Sequence, residues 1–137
     1  KLALKEAKKA LLKDEVPIGC VIVKDNKIIS YGFNTREKQS RITGHAEIQA
    51  IEEAEKILGD HRLQDCKIFV TLEPCPMCAG ALAWSQIGKV VYGASDPKRG
   101  FSNFSPSLMH PKTEVVSGIL ADECGSLVSD FFKKKRS

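Results

Sequence analysis

One imidazole, two thiols and a spare carboxylate stand at spacings that chemistry can use. They are His45-Ala46-Glu47 and, downstream, Pro74-Cys75-Pro76-Met77-Cys78. His45, Cys75 and Cys78 form a three-ligand set of the kind zinc takes, and Glu47 is not needed to complete it. A structural zinc site normally closes its tetrahedron with four protein ligands, whereas a catalytic one leaves the fourth position to water. Zinc lowers the pKa of such a water from about 15.7 to about 7. At about 1.36 kcal/mol per unit, hydroxide becomes easier to generate by roughly 12 kcal/mol. Glu47 lies two residues from the histidine and is placed to carry protons, help worth roughly 10² to 10⁴ in rate. The chemistry to expect is metal-assisted hydrolysis.

The elements that must position these groups are legible in the flanking pattern. Cys75 and Cys78 are three apart and share one face at the start of a helix, where the helix dipole favours thiolates. Pro76 suits the first turn of that helix, which should run to about Ser85. His45 opens another helical pattern, to about Leu58 with Gly59 as its stop, so two helix N-termini should converge on the metal. Ahead of it lie an amphipathic helix over about Lys1 to Lys13 and a strand from Val16 to Lys24. A turn at Asp25-Asn26 leads into a strand from Lys27 to Phe33, and Asn34 to Gly44 reads as a polar loop. Further strands are expected at Lys67 to Leu72, Lys89 to Ala94 and Thr113 to Ser117, with a long loop over Ser95 to Lys112. A final helix should cover Ile119 to about Lys135. Alternating helices and strands, with one hairpin and later crossovers, predict an α/β fold: a three-layer α/β/α sandwich on a five-stranded mixed sheet.

The chain has 137 residues, with no internal repeat or linker, and reads as a single domain over 1–137. No apolar run approaches a membrane span. Lys1 falls inside a helical pattern, so a few further residues are expected ahead of it, and no secretory signal is visible. The five cysteines are an odd number; Cys20, Cys66 and Cys124 sit in apolar strand or helix patterns and should be buried thiols. A cytoplasmic protein is expected. A net charge of +4 is too small to announce nucleic-acid binding alone. Its basic clusters are Lys133-Lys134-Lys135-Arg136, Lys98-Arg99, and Arg36, Lys38 and Arg41. Each fits a nucleic-acid contact or an ordinary solvated face.

Other readings of the motif are weaker. A lone histidine at a helix start is usually a surface or capping residue, and a lone Cys-x-x-Cys suits a thioredoxin-like redox pair. Neither accounts for His45, Glu47 and Pro74 together. A closed zinc site with Cys20, Cys66 or Cys124 as fourth ligand would leave Glu47 without a purpose. A zinc-stabilised RNA-binding module without catalysis meets the same objection.

The H-x-E…P-C-x-x-C order is the signature of the zinc nucleobase deaminases. Nearly the whole chain resembles the TadA-type tRNA adenosine deaminases of the cytidine-deaminase-like superfamily. The resemblance is carried by Glu15-Val16-Pro17-Ile18-Gly19, Asn34, Arg62-Leu63 and Val70-Thr71-Leu72-Glu73-Pro74-Cys75. It continues in Met77-Cys78-Ala79-Gly80, Val91-Tyr92-Gly93-Ala94, Asp96, Lys98, Gly118-Ile119-Leu120 and Asp130-Phe131-Phe132. It implies hydrolytic conversion of adenosine to inosine at the wobble position of a tRNA anticodon, by a homodimer with one Zn2+ per subunit. His45, Cys75 and Cys78 then match the metal ligands and Glu47 the proton shuttle. Asn34, Ile18 and Ala46 match positions around the extruded adenine, and Asp96 and Lys98 positions near the RNA. Arg136 and the last helix match a region that contacts the stem.

Three departures keep a rival open, a deaminase of free nucleobases of the guanine or cytosine type. Pro76 and Ala83-Trp84-Ser85 resemble guanine deaminases, and the run from Phe101 to Pro111 is shorter than the matching loop of the tRNA enzymes. Phe101, Phe104 and His110 would stack on a base or anchor the loop. Trp84 is expected to be buried near the dimer contact.

Overall fold

Asp25 and Asn26 both take positive φ, 52° and 62°, as a two-residue hairpin turn requires if it is to match strand twist. The turn joins β1 (Gly19–Lys24) to β2 (Lys27–Phe33), antiparallel, with Gly19 opposite Phe33. The register shifts between Ile22 and Val23. The computed structural model describes residues 2–12, 17–33, 45–59, 62–96, 100–101, 109 and 112–136. On its other edge β1 pairs antiparallel with β3 (Cys66–Leu72). From β3 the sheet continues in parallel through β4 (Lys89–Ala94) to β5 (Glu114–Val116). The order is β2-β1-β3-β4-β5, a five-stranded mixed sheet as the pattern predicts.

The strands' period of two divides the sheet into two buried faces. On one face, Cys20, Ile22, Ile68, Val70, Val90 and Tyr92 form a single cluster with two helices. Those helices are α2 (Ala46–Leu58), through Ala50, Ile51 and Ala54, and α3 (Pro76–Ser85), through Ala79 and Leu82. Ile22, Ile68 and Leu82 are among the largest side chains sealed from solvent. Each such burial stabilises the fold by about 1.5–3 kcal/mol. On the other face lie α1 (Leu2–Leu12) and α4 (Ala121–Arg136). Leu4 of α1 and Cys124 of α4 share a second cluster with Ala94.

The last helix begins at Ala121, two residues later than its apolar pattern suggests. Gly118 and Leu120 have φ of 86° and 53°, so the chain turns there before it can wind. No described helix is long and apolar enough to cross a membrane. All five cysteines are free; Cys20, Cys66 and Cys124 are buried, as expected from their apolar settings.

Because β1 runs against both neighbours, the carboxyl ends of β2, β3 and β4 lie at one end of the sheet. Ile18, at the entry to β1, shares that end. The carboxyl ends of strands are where open α/β sheets bind ligands.

Candidate active site

His45 and Cys75 occupy equivalent places, each the residue that caps the N-terminus of a helix. His45 has φ −78° and ψ 147°, and Cys75 has φ −73° and ψ 169°, both extended. Their carbonyls accept the first helical hydrogen bonds, from Gln49 N–H at 3.2 Å and Ala79 N–H at 2.8 Å. Neither side chain caps its own helix, which leaves imidazole and thiol available to a metal. Pro76 follows at the first helical position, where a missing N–H costs nothing. Cys78, two residues on, is buried on the same face as Cys75.

These two helix starts bring three ligand atoms together, all within 4.8 Å of one another. The Cys75 and Cys78 sulfurs lie 3.6 Å and 3.4 Å from His45 Nδ1. Tetrahedral bonds of about 2.3 Å to sulfur and about 2.05 Å to nitrogen would hold such atoms about 3.5 Å apart, so the group fits zinc. Among the described residues this is the one group able to hold a metal, and Cys20, Cys66 and Cys124 are not in it. A closed arrangement of three cysteines and one histidine therefore has no support among the described residues. Among the described residues, no fourth ligand joins the three.

Electrostatics fit the same use. The Cys75 thiol is lowered to about 4, chiefly by a hydrogen bond from the Cys78 thiol and further by His45. Cys78 is pushed up by that bond, by burial and by the Glu47 charge, so the metal-free pair retains one proton. A divalent cation replaces that proton, since zinc takes cysteine as thiolate.

Glu47 lies in the first turn of α2 and is only 4% exposed. Burial raises its carboxyl to about 7, against the opposing pull of its own backbone, His45 and the Cys78 thiol. A carboxyl of that strength exchanges protons readily near neutral pH. Cys20, on β1, stays a neutral thiol: burial raises it, and the charges of Glu47 and Glu6 raise it further.

The entry to α2 is fixed by a close approach. A Cβ on Gly32 of β2 would fall on the Ala46 carbonyl, so only glycine lets the helix start sit against the strand. Ser30 then donates from Oγ to the Ala50 carbonyl at 2.9 Å, one turn further along.

His45, Cys75, Cys78 and Glu47 are thus brought together. Of the expected substrate-side residues, Ile18 is half-buried and packs on the cluster that contains Ala46, which is fully buried. Asp96 is half-buried just beyond β4. Asn34 and Lys98 lie outside the described residues, as do Arg36, Lys38, Arg41, Arg99, Phe104 and His110. Phe101 is buried, its ring edge-on to Tyr92 with centroids 6.0 Å apart, which makes it an anchor and not a stacking platform. Trp84 is 85% exposed on this chain, the reverse of a core residue.

Glu73 carries part of the resemblance but has no role assigned from sequence. It is buried, one residue before Pro74-Cys75, and its Oε1 accepts the Asp96 N–H at 3.0 Å. The available signal was a charge placed directly between an apolar strand and the ligand turn.

Residues 1–94 match the family model of the cytidine and deoxycytidylate deaminase zinc-binding region. A tRNA-specific adenosine deaminase of Bacillus subtilis (strain 168) is 50% identical over 99% of this chain and 88% of its own length. A solved structure from studies of A-to-I editing by tRNA:A34 deaminases, at the wobble position of transfer RNA, superposes with a TM-score of 0.86. It is 39% identical, over 92% of this chain and 95% of that one. A guanine deaminase from Bacillus subtilis superposes less well, with a TM-score of 0.65, at 40% identity over 69% of this chain and 60% of that one.

Proposed function

Because the chain belongs to the zinc-binding cytidine and deoxycytidylate deaminase family, we propose that it hydrolyses adenosine to inosine at the wobble position of a tRNA anticodon. Deamination rests on the three-ligand group with a buried, unliganded Glu47 beside it. The choice of substrate rests on 50% identity, spread over almost the whole chain, to a tRNA-specific adenosine deaminase. The guanine deaminase that is 40% identical matches only 69% of this chain, and one that superposes over 95% of it is only 23% identical, so the free-base reading is the weaker one.

The chemistry that zinc supplies, when held by His45, Cys75 and Cys78, is the Lewis acidity that makes water a nucleophile at neutral pH. Glu47 receives the proton this water gives up and delivers it to the ring nitrogen beside the amino-bearing carbon. It then passes the second proton to the departing amine. Oxygen ends on the ring carbon, one hydrogen on the ring nitrogen, and the other in ammonia. Ile18 supplies an apolar wall for the base, with Ala46 packed behind the site, Asn34 reads its edge, and Asp96 and Lys98 lie near the RNA backbone. The target must come from an unpaired loop, because pairing hides the atom to be attacked.

The assay that tests this offers purified, zinc-loaded protein an anticodon stem-loop with wobble adenosine, beside free adenine, guanine and cytosine. Inosine should appear in the RNA; ammonia from free bases alone would overturn the substrate. Phosphate contacts release counterions, so KM for the RNA should rise about twentyfold between 50 and 200 mM salt if roughly three phosphates of the unpaired loop are held. A salt-independent KM would contradict an RNA substrate.

A second copy of the chain is the proposed partner. Helix α3 reads Pro-Met-Cys-Ala-Gly-Ala-Leu-Ala-Trp-Ser, apolar on all sides. Such a helix is normally covered all round. Here Met77, Gly80 and Ala81 are only half-buried and Trp84 is exposed. Covering that face with the same face of a second copy makes a symmetric dimer. Trp84→Lys should shift the protein from dimer to monomer in sedimentation, and a wild type that sediments as a monomer at micromolar concentration would refute the pairing. Five unpaired thiols accord with the reducing cytoplasm as the working compartment.

A further inference from the structure

Glu73 follows the last residue of β3 and precedes the ligand turn, and its backbone N–H donates to the Ala94 carbonyl at 2.8 Å. That bond extends the β3–β4 pairing to the mouth of the site. A carboxylate buried there needs partners, because removing it from water without compensation is costly. Its Oε1 takes the Asp96 N–H at 3.0 Å. Close beside it stands Gly100, where a Cβ would fall on the carboxylate carbon and both its oxygens. Gly100 N–H donates to the Asp96 carbonyl at 3.0 Å, and Phe101 N–H to the Pro74 carbonyl at 2.9 Å. Asp96, Gly100 and Phe101 are therefore held against Glu73-Pro74, directly ahead of the Cys75 ligand.

We infer that Glu73 is a positioning residue: its buried carboxylate, bonded by the Asp96 N–H and in close contact with Gly100, sets Asp96 and Gly100-Phe101 against the metal-binding turn so that Asp96 meets substrate. The inference rests on the proposed deaminase reading in giving Asp96 a substrate to meet. Glu73 itself lies outside the ligand group. Its loss should weaken substrate binding and spare the chemistry, the pattern of a lost uniform binding interaction.

The test uses the full chain loaded with zinc. Glu73→Ala should raise KM for the anticodon stem-loop about tenfold or more, with kcat and zinc content held within about twofold. Glu73→Gln keeps an oxygen for the Asp96 N–H and should stay within about threefold of wild-type KM. Gly100→Ala displaces the same carboxylate and should reproduce the KM rise. In a Glu73→Ala background it should add nothing further, because the space is then empty. An unchanged KM in Glu73→Ala, a Gln variant as poor as the Ala one, additive effects in the double variant, or zinc loss would each overturn the assignment. Should Glu73→Ala not fold, Gly100→Ala decides, and an unchanged KM there overturns it. Wild-type turnover of the RNA is read first and tests the substrate alone. The KM ratios are then taken on whichever substrate the wild type accepts, so the two proposals can fail separately.

Discussion

Glu47→Gln should give a folded, zinc-loaded protein whose turnover is lower by about 10² to 10⁴. Gln is nearly the same size, so the buried space in the first turn of α2 stays filled. Glu47 is outside the ligand group, so metal content should be unaffected. What disappears is the carboxylate that burial raises to about 7, close to the pH at which protons must be exchanged. An amide neither takes a proton from water nor returns one to a leaving amine. The loss should appear in kcat, and KM should change little, because the interaction belongs to the transition state. Single-turnover kinetics on RNA, with zinc determined on the same sample, provide the measurement. Near wild-type kcat would remove Glu47 from proton transfer, and loss of zinc would make it a ligand.

Cys78→Ala should abolish activity by abolishing metal retention. Two ligands remain in that variant, and alanine cannot supply the buried thiolate that completes the group with His45 and Cys75. Even changing a group behind a zinc ligand commonly costs 10- to 100-fold in affinity, so deleting a ligand should cost more than about 100-fold. Because zinc binds the folded chain, it also stabilises it, by about 4 kcal/mol when free metal is a thousandfold above Kd. Wild-type melting temperature should accordingly rise with added zinc and fall with chelator. The variant should melt at one temperature in both. A variant that dialyses free of excess metal yet retains one zinc per chain would contradict the proposed ligand set.

Much of this site was legible because its ligands lie at fixed local spacings. Pro76 predicts the helix start, and a helix start dictates where Cys75 and Cys78 point. The Asp25-Asn26 turn was legible for the same reason, since two consecutive positive φ values suit those residues. What local pattern cannot carry is close approach between distant segments. Gly32 against Ala46, and Gly100 against Glu73, are required by backbones that meet only in the folded sheet. Periodicity also misplaces ends: His45 caps α2 from extended backbone and is not its first turn, and β1 begins at Gly19, beyond Pro17, which has no N–H to pair. Trp84 shows a further limit. The sequence predicts its burial near a dimer contact, yet which faces are covered depends on neighbours that one chain does not contain.

The two sources of the metal-binding side chains have a consequence for biosynthesis. His45 hangs from the unit formed by the hairpin and α2, whereas both cysteines belong to the β3–α3 unit, 30 or more residues later. A nascent polypeptide has no complete nest for the ion until the second unit has emerged from the ribosome and docked on the first. Acquisition of the metal thereby becomes a checkpoint on assembly, and a chain stalled before docking cannot become a leaky hydrolase.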